Sequence, residues 1–101
     1  MNYYVLFYKV VDDYVTRRTQ YRPDHLQRVT EAYDRGELLM AGALADPPDG
    51  AVLIFRAPDP SPAEHFARQD PYVINGLVTH WEVRAWTVVT GPLTKAPPPA
   101  L

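Results

Sequence analysis

The sequence predicts a single α+β domain with elements in the order β-α-β-β-α-β. Three observations carry this. Four segments have the apolar alternation, or the apolar run, of a strand. Two intervening segments place apolar residues at spacings of three and four. Breaks rich in proline and glycine, Asp46-Pro47-Pro48-Asp49-Gly50 and Asp59-Pro60-Ser61-Pro62, separate the elements. This order is the split βαβ pattern of ferredoxin-like folds. Right-handed crossovers then set both helices on one face of a four-stranded antiparallel sheet.

Residues 2–11 read as the first strand. Tyr3, Val5 and Phe7 point to one face, and Tyr4, Leu6, Tyr8 and Val10 to the other. Both faces are apolar, so both need cover. Residues 12–21 are polar and mixed in charge, a connector of partial helical character. Pro23 suits the first position of the first helix, where its missing N–H costs nothing. Asp24 complements the helix dipole there. Leu26, Val29, Ala32 and Tyr33 form the expected buried stripe, and Gly36 ends the helix.

Residues 37–44 and 51–57 are expected to pair as a hairpin across the proline-rich turn. Ser61-Pro62-Ala63-Glu64 has the spacing of a capping box and opens the second helix, with Ala63, Phe66 and Ala67 buried. Pro71 disfavours helical geometry at Asp70 and should end that helix. Residues 71–75 read as one further turn, closed by Gly76. In the last strand, 77–89, Leu77, Thr79, Trp81, Val83 and Ala85 alternate against Val78, His80, Glu82 and Arg84. The domain spans residues 1–90, and a tail with Pro97-Pro98-Pro99 follows at 91–101, expected to be extended or disordered.

With 101 residues, one core is modest. Yet 47% of the residues are hydrophobic, including seven Tyr, three Phe and two Trp. The helices can cover one sheet face only. Burial alone therefore predicts a homodimer through the open sheet face, the arrangement of a dimeric α+β barrel, with a higher oligomer as the alternative. The net charge of −2 supplies no field for nucleic acid or an anionic membrane. The third strand, 51–56, lacks the glycine-containing aromatic and basic signature of RNA-binding domains with this topology. No run is long enough to span a bilayer, and residues 1–11 lack the basic start and cleavage site of a signal peptide. The chain has no cysteine, which excludes thiolate chemistry and makes the cytoplasm the expected location.

Two segments carry candidate chemistry. In Arg22-Pro23-Asp24-His25-Leu26, His25 falls in the first helical turn, where the dipole disfavours imidazolium. A neutral imidazole can act as general base. The plainer alternative is a boundary histidine bonded to a loop. In Asp70-Pro71-Tyr72-Val73, Asp70 is well placed to cap the turn that follows. Its two oxygens also allow it to cap and to orient another group at once. Tyr14, Arg17, Arg18, Tyr21 and Arg22 interleave aromatic and cationic residues. They form either a solvated loop paired with Asp12 and Asp13, or a rim that holds an anionic or aromatic ligand. Arg22 and Tyr72 are the best candidates for ligand binding. Glu64 and Arg68 are expected to form a surface ion pair. His65 and His80 lack ligand spacing with any neighbour, so no metal is expected.

Together these segments, with Asn75-Gly76-Leu77-Val78, Gly36-Glu37-Leu38-Leu39-Met40-Ala41-Gly42 and Trp81-Glu82-Val83-Arg84-Ala85-Trp86, resemble the YciI-like (YCII-related) family from residue 2 to about 91. The resemblance implies that His25 and Asp70 meet in one cleft as an active-site pair. It also implies chemistry of the kind associated with that family, dehydrochlorination of hydroxylated aromatics. The sequence holds no phosphate loop or nucleophile elbow, so an enzyme here is expected to work without a cofactor. The leading expectation is a lyase or isomerase acting on a small aromatic or enolic acid, with His25 as base and Asp70 as its orienter or as the acid. A non-catalytic small-molecule binding or sensing module is the second reading. A cofactor-free oxygenase is the third.

Overall fold

The computed structural model describes residues 1–91, and the expected tail lies outside the described residues from 92 onward. Four strands, β1 (Asn2–Val10), β2 (Leu38–Ala43), β3 (Gly50–Ala57) and β4 (Val78–Trp86), form one sheet in the order β2-β3-β1-β4. All neighbouring pairs are antiparallel. The main helices are α2 (Arg22–Asp34) and α3 (Ser61–Gln69). This is the expected ferredoxin-like α+β architecture.

The connector between β1 and α2 is more ordered than its polar composition suggests. It holds a short helix, α1 (Tyr14–Arg17), and a 3₁₀ turn (Arg18–Gln20) that leads directly into α2. Tyr14 anchors it, buried in the core. Because the turn runs straight into α2, Arg22 takes the first helical position and Pro23 the second, and the His25 N–H already bonds the Tyr21 carbonyl at 3.1 Å.

The buried stripe of α2 also differs from expectation. Leu26 is 43% and Tyr33 62% exposed. The inward face instead carries His25, Arg28, Val29 and Ala32. Arg28 is held there by a bond from its guanidinium to the Phe66 carbonyl at 3.0 Å and by stacking over the Phe66 ring. An apolar-residue count misses such a site, because it treats arginine as a surface residue.

At the start of α3 the expected capping box does not form. Pro60 is the N-cap residue, and Asp59 Oδ1 accepts the Ser61 N–H at 2.8 Å. Hydrogen bonding from Ser61, by its side chain first and its backbone N–H second, holds the Asp59 carboxyl below its ordinary range. Glu64 and Arg68 are not paired. The Arg68 guanidinium lies over the Trp81 ring, 5.6 Å from its centre. A second short helix, α4 (Pro71–Ile74), follows α3 with Asp70 as its cap. Gly76, at φ +77°, ends it.

Tyr4, Leu6, Tyr8 and Val10 of β1 face the helices and pack with Leu53 and Phe55 of β3 and Phe66 of α3. In β4 the simple alternation breaks. Lys9 pairs with His80, but Val10 pairs with Val78, so Thr79 is an extra residue in a bulge. Val78 therefore joins Trp81 and Val83 on the helix side. A second bulge inserts Leu39 between Leu38 and Met40. Among the described residues no helix covers the opposite sheet face, which shows Phe7, Met40 and Trp86 well exposed.

Candidate active site

His25 and Asp70 come together although 45 positions separate them. The imidazole Nδ1 lies 2.8 Å from Asp70 Oδ1 and 3.0 Å from Oδ2. The start of α2 and the end of α3 sit side by side on the same sheet face, and this brings the two residues into contact. Asp70 is fully buried. Its carboxylate accepts three donors from three parts of the fold. The Tyr8 hydroxyl of β1 donates to Oδ2 at 2.7 Å, the Tyr72 backbone N–H donates to Oδ1 at 3.0 Å, and His25 supplies the third. Capping and histidine binding thus coexist on one carboxylate. A carboxylate can only accept, which puts the proton on Nδ1 and leaves a lone pair on Nε2.

The His25 ring lies flat on the Tyr72 ring, with centroids 3.9 Å apart and 9° between planes. Tyr14 meets Tyr72 edge-on at 5.7 Å, and the Arg18 guanidinium covers Tyr14 at 5.1 Å. Arginine, tyrosine, tyrosine and histidine thus touch in series, through a cation–π, an edge-on and a stacked contact.

A cavity of about 180 Å³ opens beside this stack. Its apolar wall is formed by Leu26 and Val29 of α2 and by Ala41, Ala43, Ala51 and Leu53 of the sheet. Its polar side is Tyr8, Tyr14, Arg18, Arg22, His25 and Tyr72. Among the described residues no acidic side chain lines it. Among the described residues neither Arg18 nor Arg22 has a carboxylate partner, whereas Arg17 pairs with Asp13 and Arg35 with Glu37. The two unpaired guanidiniums act on the Tyr72 hydroxyl. Burial and the neighbouring Tyr14 push its pKa up, Arg22 and Arg18 pull it down, and the balance is about 12. Burial, with the Asp70 charge beside it, pushes the Tyr8 hydroxyl upward as well.

The structure thus brings together His25, Asp70, Arg22 and Tyr72, the four residues singled out in the sequence. Asp70 does not reach the cavity, so within this geometry it orients His25. Arg17 and Tyr21 of the proposed rim stay outside the cavity lining. His65 is exposed on α3, and His80 is exposed on β4. Among the described residues, no group of three or more His, Asp or Glu side chains could hold a metal ion. Sequence reading missed Tyr8 and undervalued Tyr14 and Arg18. For Tyr8 a signal existed: a tyrosine on the inward face of a central strand must find a partner for its hydroxyl.

The model of the YCII-related domain matches residues 1–87. The chain belongs to the YCII-related family. The chain is 30% identical over an alignment of 95 residues to Protein YciI of Escherichia coli O6:H1, a match spanning 85% of this chain and 97% of that protein. Protein YciI of Shigella flexneri matches to the same extent. Among solved structures, the YCII-related fold is similar to 5-chloro-2-hydroxyhydroquinone dehydrochlorinase from Burkholderia phenoliruptrix AC1100 in complex with 2,5-dihydroxybenzoquinone. There the TM-score is 0.70 at 17% identity, covering 84% of this chain and 93% of that one. Protein Atu4242 from Agrobacterium tumefaciens gives a TM-score of 0.61 at 20% identity, covering 93% of this chain and 100% of that one. Both neighbours share the fold of dimeric α+β barrels.

Proposed function

We propose that the protein is a cofactor-independent acid–base enzyme of the lyase or isomerase type, acting on a small anionic aromatic or enolic compound. One observation carries the reading. The imidazole of His25 is held through Nδ1 by a buried carboxylate, so that Nε2 keeps its lone pair at a cavity bordered by two unpaired guanidiniums. His25 Nε2 takes a proton from an acidic O–H or C–H of the substrate. Asp70 steadies the imidazolium that results. Arg18 and Arg22 stabilise the enolate or phenolate formed at that moment. Where the substrate carries a leaving group, that group departs with its bonding electron pair. The volume of the cavity limits the substrate to about one substituted ring. The dehydrochlorinase among the fold neighbours, with its dihydroxybenzoquinone, supports this chemical class.

The test is a panel of chlorinated and unchlorinated hydroxyquinols, 2-hydroxy enones and enol acids. Chloride release and the ultraviolet spectrum report turnover. The expected result is turnover of at least one compound by the wild type and its loss in His25→Ala with binding retained. Ligands that raise the melting temperature without turnover anywhere in the panel would replace this reading with a binding or sensing module. Oxygen uptake would replace it with an oxygenase.

We further propose that the working form is a homodimer joined through the open sheet face. That face presents Val5, Phe7, Val52, Ile54 and Trp86 as a contiguous apolar surface. On the same face, Arg56 Nε is buried without a hydrogen-bond partner among the described residues, a donor left for a second copy to satisfy. Among the described residues no helix is long and apolar enough to cross a membrane. A cytoplasmic setting accords with this reading.

A further inference from the structure

Among the described residues Asp70 is the one buried charged residue, and it is held from the sheet as well as from the helices. The Tyr72 N–H donates to Oδ1, and Nδ1 makes its shorter contact with the same oxygen. Oδ2 has the longer Nδ1 contact, at 3.0 Å, and the Tyr8 hydroxyl at 2.7 Å. Tyr8 is the shortest of these bonds. It comes from the central strand, whose backbone is fixed on both sides by β3 and β4.

We infer that Tyr8 is a positioning residue for His25, acting through Asp70: its hydroxyl occupies Oδ2, so that the carboxylate meets Nδ1 only as an acceptor and the imidazole keeps one tautomer. Without that hydroxyl, Oδ2 keeps only its 3.0 Å contact with Nδ1, and nothing from the sheet fixes the plane of the carboxylate. A carboxylate free to turn about its bond from the Tyr72 N–H holds the Nδ1 hydrogen less firmly. The tautomer with the hydrogen on Nε2 then gains population. The lone pair is then turned away from the cavity. Tyr8 can hold its role over a wide pH range, since burial and the adjacent carboxylate keep its own proton in place. The effect on turnover rests on the acid–base reading of the site, whereas the effect on the tautomer does not.

The test is nitrogen NMR of the imidazole rings in wild type and Tyr8→Phe, which keeps the ring and deletes only the oxygen. Spectra are taken at a pH where the imidazole is neutral, and the His25 signals are assigned by their loss in His25→Gln. Wild type should show the hydrogen on Nδ1. Tyr8→Phe should show a large fraction, more than a third of the population, with the hydrogen on Nε2. A Tyr8→Phe protein that is less stable but keeps the wild-type tautomer would overturn the inference, because packing alone would account for the residue. If Tyr8→Phe does not fold, wild type decides. Hydrogen on Nδ1 at every pH where the ring is neutral would support the inference, and a mixed or Nε2-hydrogen population with the Tyr8 hydroxyl in place would overturn it. None of these outcomes depends on finding a substrate. Absence of turnover would therefore count against the proposed enzyme and leave the role of Tyr8 standing.

Discussion

The imidazole of His25 lies parallel to the phenol ring of Tyr72 at 3.9 Å, and the same Tyr72 donates its backbone N–H to the carboxylate that holds His25. One residue thus sets both the plane of the base and the seat of its partner. Replacing Tyr72 by Phe preserves both contacts and should leave the fold intact. Replacing it by Leu removes the aromatic face and should lower turnover roughly tenfold, about the value of one aromatic contact. Steady-state kinetics on the two variants would check the difference.

The Tyr72 hydroxyl gives a prediction in pH. Its pKa rises from 10.0 to about 12 on folding, chiefly through burial. The folded state therefore holds this proton more tightly than the unfolded chain. The associated stability is complete below pH 10 and is lost as pH rises from 10 through about 12. Alkaline titration followed by phenolate absorbance should show a late-ionising tyrosine that disappears in Tyr72→Phe. The melting temperature of that variant should fall less over the same pH range.

Asp70 should separate stability from chemistry. Asp70→Ala leaves the Tyr8 hydroxyl, the Tyr72 N–H and His25 Nδ1 without their acceptor in a buried site. It should cost about 3 kcal/mol or more in urea unfolding. Asp70→Asn keeps the volume and one acceptor oxygen, so it should unfold at a urea concentration closer to wild type. Turnover should still drop by roughly 10²–10⁴-fold, because the amide no longer steadies imidazolium.

Among the described residues Arg18 and Arg22 have no carboxylate partner, so their loss should be felt by the ligand and not by the fold. Arg18→Gln and Arg22→Gln should each weaken binding of an anionic ligand roughly tenfold. Calorimetric titration should also show binding that weakens with added salt in the wild type and less so in the variants.

The sheet face offers an independent test. Phe7 is 41% exposed and packs against no helix, so Phe7→Glu should leave the subunit folded while abolishing association. Light scattering coupled to size exclusion should give a dimer for wild type and a monomer for the variant. On the same strand pair, a Cβ at Gly50 would lie 2.6 Å from the Tyr8 carbonyl oxygen. Gly50→Ala should therefore push β3 off β1 at the residue that holds Asp70, destabilising the fold by about 1–3 kcal/mol.

The order of elements, the two apolar faces of β1 and the ends of the helices at Gly36 and Asp70 could be read from the sequence, because each depends on local backbone preference and on the period of apolar residues. His25 and Asp70 stood out for the same kind of reason: a histidine in a first helical turn and an aspartate before a proline are local patterns. The sequence could not show that they touch, that Tyr8 joins them, or that Asp70 is sealed from solvent. Those facts depend on how two helices settle side by side on a twisted sheet, which fixes distances between residues 45 and 62 positions apart. The bulge at Thr79 and the inward Arg28 escaped for a related reason. Each answers to its packing partners, Lys9 and Phe66, and those partners are far away along the chain.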